Sequence, residues 1–414
     1  MKRKYLINKK ASLVLFITVF VLYSLVYMTK NCYSAAMASI VAAGIMTKSQ
    51  TGLIAAMFYL FYAPFQIIGG WAADRLPPER LILLGTLGGA IANTLICFFA
   101  ENYVAMLIIW SLNAVVQFGI WPSIFKIITT ELCEDHREIA VFYISLSGTA
   151  GLLMSYIIAV FVGNWKYNFL ISAIVLFVLT VIFFFTYYGL EKKMVSEEIP
   201  TPVINKKRGS SPILLILKSG VPIFLVVYIV QGMLNLGMKT IVPVMLMESY
   251  EGVNDSLANA LNIILVLASP AGTFLAGMPF LRRLREPTII LILFALATPS
   301  VVLMCFIGKI HVALVVVALT LLMALLAAQS IFFSKISKQF VALDCVGTVS
   351  GTFNCMAALG ITLSNLCFTR ISDSYGWGVT TLCCLALLGV ATVLTFIASP
   401  IWNRFNAKYL QRKI

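Results

Sequence analysis

Lys30 places a full positive charge near the middle of a long apolar segment, with no acidic residue nearby to neutralise it. On membrane-insertion scales a central lysine costs about 2.5 to 3.5 kcal/mol, so an unpaired one faces a bundle interior or a watered cavity. Tyr23, Tyr27 and Lys30 follow the i, i+4, i+7 spacing that puts three side chains on one helix face. That face reads as the wall of a polar cavity, the lysine supplying charge and the phenols hydrogen bonds. A second lysine, Lys239, shares a later apolar run with Gln231 and Asn235 at i, i+4, i+8. Its alternative is to snorkel to the outer interface. Two uncompensated lysines together cost roughly 5 to 7 kcal/mol unless water or a bound anion offsets them. An anionic substrate is the simplest partner. A lysine that shed its proton would instead leave a site for a neutral, hydroxyl-rich solute.

Other polar residues in apolar runs are Asn113 and Gln117, four apart, then Gln329 with Ser330, and Ser350 with Asn354. Each is a candidate for lining the cavity, although buried amides also hold helices together without touching substrate. Phe61, Tyr62 and Phe65 read as packing or interfacial aromatics. None of the 16 Asp and Glu falls near the middle of an apolar run. Proton-coupled carriers commonly titrate an intramembrane carboxylate, so its absence argues against proton-driven efflux. The nine cysteines show no metal spacing, and the two histidines, His136 and His311, support neither a zinc site nor a proton relay. No nucleophile and base constellation emerges, so an enzyme and a cofactor are not expected.

The elements that carry these residues are membrane spans. Of the 414 residues, 61% are hydrophobic and only 11% charged, a balance no soluble domain of this size needs. Runs long enough to cross about 30 Å of hydrocarbon recur twelve times. They lie at 12–45, 50–72, 80–99, 102–131, 138–163 and 167–189, then 220–247, 256–280, 287–307, 310–335, 346–369 and 377–400. With the amino terminus inside, 24 of the 30 Lys and Arg fall in cytoplasmic segments, four outside (Lys48, Lys166, Lys309, Arg370) and two within the membrane. This bias predicts a multi-pass cell-membrane protein with both termini cytoplasmic. It also accounts for most of the +14 net charge, leaving no case for nucleic-acid binding. The first apolar run is longer than a signal h-region and reads as a span. The Lys-rich amino terminus and loops fit a bacterial inner membrane.

The polar segment 191–218 separates residues 1–190, a six-helix bundle, from residues 219–414, a second one. Landmarks recur at an offset of about 206 to 212: Gly70 and Gly277, Arg75 and Arg282, Ser123-Ile124-Phe125 and Ser330-Ile331-Phe332, Trp165 and Trp377. They indicate a duplicated half, with the substrate site expected at midplane between the halves.

The stretch GGWAADRLPPER, Gly69 to Arg80, resembles the loop signature of the major facilitator superfamily. The resemblance implies an all-α fold of twelve transmembrane helices in two pseudo-symmetric bundles. In it, Gly70 permits close helix approach while Asp74 and Arg75, with Arg80, gate the cytoplasmic side. The second copy keeps Arg282 and Arg285 but has Leu281 in place of the acid. A narrower resemblance is to the organophosphate:phosphate antiporters, the sugar-phosphate permeases. It is carried by Lys30-Asn31, by QFGIWP (Gln117 to Pro122) with Lys126 and Arg137 downstream, by GTVSG (Gly347 to Gly351) with Phe353, and by Gly376-Trp377.

Against that family's pattern, the span 1 arginine falls on Thr29, the span 7 arginine on Asn235, the span 2 lysine on Gln66 and the span 5 histidine on Gly148. A lysine does not replace an arginine fork that grips phosphate bidentately. The chain therefore reads as a monomeric carrier of a small organic anion, by exchange or facilitated flux. A phosphate ester is the family default, with carboxylates and neutral sugars or polyols as alternatives. A non-transporting membrane sensor on the same fold is the rival.

Overall fold

In hydrocarbon every backbone N–H and C=O must be satisfied within the protein, and an apolar run achieves this by becoming a helix. The computed structural model describes residues 2–162, 164–198, 216–276, 278, 284–340 and 346–410. The first seven helices are α1 (Lys9–Ala42), α2 (Lys48–Arg75), α3 (Pro78–Phe99), α4 (Tyr103–Val116), α5 (Ile120–Thr130), α6 (Glu134–Phe161) and α7 (Lys166–Glu191). After the central loop come α8 (Val221–Gly232), a π-helical turn (Met233–Gly237), α9 (Met238–Ser249), α10 (Asp255–Ala276), α11 (Glu286–Met304), α12 (Val312–Lys338) and α13 (Val346–Phe405).

Among the described residues, nine helices are long and apolar enough to cross a membrane. The last holds two of the expected spans, because α13 runs on through a kink at Gly376, whose φ of 80° suits glycine. Together with α2 and with α6, bent by 50° between Val141 and Leu146, the helices account for twelve spans. One element was not legible in the apolar pattern. Strand β1 (Lys2–Tyr5) pairs antiparallel with β2 (Val195–Glu198), setting Lys2 opposite Glu198 and Arg3 opposite Glu197.

The chain divides into two compact units, residues 1–46 with 61–207 and residues 47–60 with 208–414. Most of the expected loop 191–218, residues 199–215, lies outside the described residues. In the first unit α1 packs on α6 and α7, and α3 on α4, α5 and α7. The face of α5 at Ile120, Ile124, Ile127 and Ile128 shares a buried cluster with Leu15, Val19 and Leu22 of α1. In the second unit α13 packs on α8 and α11, and α12 on α10 and α11.

Lipid tails are as apolar as leucine, so helices associate by close packing at small residues. A Cβ on Gly151 of α6 would strike the Ser24 carbonyl of α1, and one on Gly272 of α10 the Ala324 carbonyl of α12. Gly389 of α13 has open space at the same position. Gly272→Ala should lower the unfolding temperature in detergent, overpacking costing about 1–3 kcal/mol. Gly389→Ala should leave it unchanged or raise it, since glycine within a helix costs about 0.5–1 kcal/mol relative to alanine. Equal effects of the two substitutions would contradict the packing described.

Candidate functional site

The first unit surrounds Lys30 with aromatic hydroxyls. Asn8 caps α1 by accepting from the Lys10 and Ala11 amides, and the helix then runs unbroken past Lys30. Lys30 is only 6% exposed. Its Nζ donates to Tyr62 Oη of α2 at 2.7 Å and lies 4.3 Å from the centre of that ring. The Tyr27 and Tyr23 rings lie farther off, at 5.9 and 6.0 Å. Tyr23 in turn packs on Trp121 of α5, ring centres 4.7 Å apart. Among the described residues no carboxylate forms an ion pair with Lys30. Ring faces attract a cation within about 6 Å, by roughly 0.5–2 kcal/mol each, and cancel none of its charge.

The expected face at i, i+4, i+7 is therefore present, and Tyr62, read from sequence as packing, is its fourth member. The available signal was its place one turn before Gln66, where the family carries its lysine. Gln66 itself donates to the Phe118 carbonyl at 3.5 Å, and Asn31 to the Tyr27 carbonyl of its own helix at 2.7 Å. Asn113 and Gln117 bond to each other, Gln117 Nε2 donating to Asn113 Oδ1 at 2.6 Å.

In the second unit Lys239 is 3% exposed and donates to Ser269 Oγ of α10 at 2.6 Å, so its ammonium is held among helices and does not snorkel. The carbonyl of Lys239 accepts from Asn262 Nδ2 at 2.9 Å. The regular stripe expected for Gln231, Asn235 and Lys239 is not kept. A π-helical turn widens the helix at Met233–Gly237 and rotates α9 relative to α8. Gln231 accordingly donates to Leu326 O of α12 while Lys239 turns to α10. Asn235 sits inside that turn with its Oδ1 buried and unpaired among the described residues. Gln329 donates to Ile290 O of α11, a bond between helices, and Asn354 is exposed.

The expected gate residues are dispersed. Arg75 is exposed, its guanidinium 4.4 Å from the Trp71 ring, and Arg80 is exposed on α3. Arg137 donates to the Leu132 carbonyl at 2.9 Å and faces the Tyr5 ring. Gly70 has open space beside it, so close helix approach at this position is not what it provides. Asp74 lies on α2, and Arg282 lies outside the described residues. A residue whose function was not legible is Lys126, which donates to the Ala73 carbonyl near the end of α2. It caps that helix as a cation at a C-terminus does.

Comparison with known proteins adds lineage to this geometry. Residues 19–365 match the family model described as Major Facilitator Superfamily. The membrane sensor protein UhpC of Salmonella typhimurium is 32% identical over 121 residues, 29% of this chain and 27% of that protein. A probable hexose phosphate transport protein of Chlamydia pneumoniae is 25% identical over 138 residues, 33% of this chain and 29% of that protein. Under a third of either relative is matched. A bacterial homolog of the human lysosomal transporter Spinster, solved inward-facing and unoccupied, superposes with a TM-score of 0.79 at 16% identity, covering 96% of this chain and 99% of that one. A D-xylose-proton symporter superposes at 0.74 and 13% identity, covering 97% and 98%.

The bond between Lys30 and Tyr62 can be measured without a substrate. Tyr62→Phe should destabilise the protein by about 1.5–3 kcal/mol, the worth of a hydrogen bond to a charged group. In a Lys30→Met background the same substitution should cost little, giving a coupling energy of similar size. Additive losses in detergent unfolding would mean that the two side chains do not support one another.

Proposed function

The chain belongs to the major facilitator superfamily, and from that premise we propose that this transporter carries a small organic anion across the cell membrane by exchange or facilitated flux. The observation that carries the proposal is Lys30, a buried ammonium surrounded by phenols and no carboxylate among the described residues. A fixed charge without a fixed counter-ion favours a mobile one, since the cost of holding it in the membrane falls when an anion binds. Tyr23, Tyr27 and Tyr62 would orient that anion through their hydroxyls. Lys239 with Ser269 offers a second cationic group in the other unit.

A phosphorylated sugar is the first substrate to test, because a relative in Chlamydia pneumoniae is named for hexose phosphate transport. Carboxylates come next, because a relative in Cupriavidus necator is named a probable sulfoacetate transporter, and sulfoacetate bears a carboxylate. The bias of 24 cytoplasmic basic residues against four supports cytoplasmic termini, and the Asp74 to Arg80 stretch is then a cytoplasmic gate.

The test is uptake of labelled phosphate into proteoliposomes preloaded with phosphate, competed with phosphate esters, carboxylates and sugars. Saturable exchange is expected, and Lys30→Met should abolish it while inserting normally. A Lys30→Met protein that exchanges as fast as wild type would remove Lys30 from the site.

A further inference from the structure

Within the first unit α3 and α7 pack antiparallel, Thr86 opposite Thr180 and Gly89 against Leu176. Thr180 Oγ1 lies 2.8 Å from Thr86 Oγ1 and 2.7 Å from the Leu176 carbonyl, so its hydroxyl is satisfied inside the helix pair. Beside this contact the helices leave a groove of about 340 Å³, walled by Leu83, Leu84 and Leu87 of α3 and by Val181, Phe184 and Phe185 of α7. Its walls are entirely apolar. Leu84 is 67% exposed and Phe185 70%, so the groove opens sideways, away from the interior of the unit.

Each wall belongs to an outward stripe that ends in a basic residue. On α3 the stripe is Arg80, Leu84, Leu87 and Ile91, at i, i+4, i+7 and i+11, all exposed. On α7 it is Phe177, Val181, Phe184 and the half-buried Tyr188, followed at the same spacing by Lys192 just past the helix end. Lys192 and its neighbour Lys193 are exposed. Among the described residues Arg80, Lys192 and Lys193 form no ion pair. Of the adjacent acids, Glu79 is only 8% exposed and Glu191 is half-buried.

The depths of these residues match one leaflet. With Thr86 opposite Thr180, Arg80 comes level with residue 186, and Lys192 stands about 9 Å beyond it at 1.5 Å per residue. A headgroup layer is about 5–8 Å thick, and both side chains are long enough to reach into it. Tyr188, its ring centre 4.8 Å from that of Phe184, lies at the boundary, as interfacial tyrosines do. Leu87 is about 14 Å along α3 from Pro78, so the groove stays within a half-thickness of hydrocarbon of about 15 Å.

We propose that this groove binds an anionic phospholipid of the cytoplasmic leaflet, one acyl chain lying between α3 and α7 and the phosphate held by Arg80, Lys192 and Lys193. The choice of leaflet rests on the orientation proposed above. An apolar groove accepts an acyl chain without leaving a polar atom unpaired, and basic side chains at the ends of neighbouring helices recognise an anionic headgroup. A second copy of the chain is a poorer occupant. In a two-fold dimer formed on this face the same stripes meet, which sets the basic ends of one copy beside those of the other.

Phosphatidylglycerol with a photoactivatable diazirine in one acyl chain tests the site in proteoliposomes, beside the same label on phosphatidylcholine. The reference is the peptide containing Phe98, a 78% exposed residue at the other end of α3. Relative to that peptide, those containing residues 83–87 and 180–185 should take up the phosphatidylglycerol label about tenfold more than the phosphatidylcholine label, as expected for an anion facing several cations. Unlabelled phosphatidylglycerol should compete, whereas inorganic phosphate, which has no chain for the groove, should not. Lys192→Gln combined with Lys193→Gln should remove most of the preference, and Val181→Trp, which fills the groove, should reduce labelling there by both lipids. Equal labelling of the wild-type groove by the two lipids would overturn the proposal, as would competition by inorganic phosphate. Cross-links between two copies of the chain through these helices, in place of lipid label, would also overturn it. The labelling needs no transported solute and does not depend on which leaflet is cytoplasmic, so failure of the carrier or orientation reading leaves its outcome intact.

Discussion

The structure of the first unit is governed by the cost of one buried ammonium. Lys30 is only 6% exposed at its place on α1, and the chain supplies no acid among the described residues to meet it. What it supplies instead is a hydroxyl at 2.7 Å and three ring faces. These offset part of the desolvation cost and leave the charge uncompensated. Tyr23 is held by Trp121, which opens α5, while Gly148 of α6 leaves room beside the Tyr27 ring. The arrangement of α1, α2, α5 and α6 is thus the arrangement that keeps three aromatic side chains around one lysine, with Trp121 behind one of them.

Breaks in the helices serve the same end. Span 4 is interrupted between Val116 and Ile120, and the carbonyl of Phe118 in that break accepts from Gln66, with Gly69 of α2 lying close against it. Span 7 is interrupted by the π-helical turn that carries Asn235. Irregular backbone at membrane depth is tolerated only where protein or water satisfies it, so such breaks collect where polar groups are already gathered. Both breaks occur in spans that contribute residues to the candidate site.

The all-α class, the twelve spans and the face of Tyr23, Tyr27 and Lys30 were legible because each depends on local periodicity. Spacing along a single regular helix survives folding, and α1 is one such helix for 34 residues. The stripe of Gln231, Asn235 and Lys239 did not survive, because it assumed a regular helix where one turn is π-helical. Tyr62 was obscured by composition: a tyrosine in an apolar run is usually packing, and only its cross-helix distance to Lys30 distinguishes it. The pairing of β1 with β2 was hidden because its two strands lie far apart in the sequence, beyond the reach of periodicity.

The loss of the family's arginines and the retention of a lysine bear on how the proposed anion is chosen. A guanidinium fork fixes the orientation of a phosphate or carboxylate through two parallel bonds, whereas an ammonium is a point charge with three rotatable donors. In the proposed site Lys30 would therefore reward negative charge without specifying its geometry. Phenolic hydroxyls add direction, since each donates along one bond and accepts along others. Selectivity in such a site falls on the uncharged part of the solute, on how its hydroxyls meet Tyr23, Tyr27 and Tyr62 and how its apolar faces meet their rings. A carrier built this way should distinguish anions by the body they are attached to more sharply than by whether the charged group is a phosphate or a carboxylate.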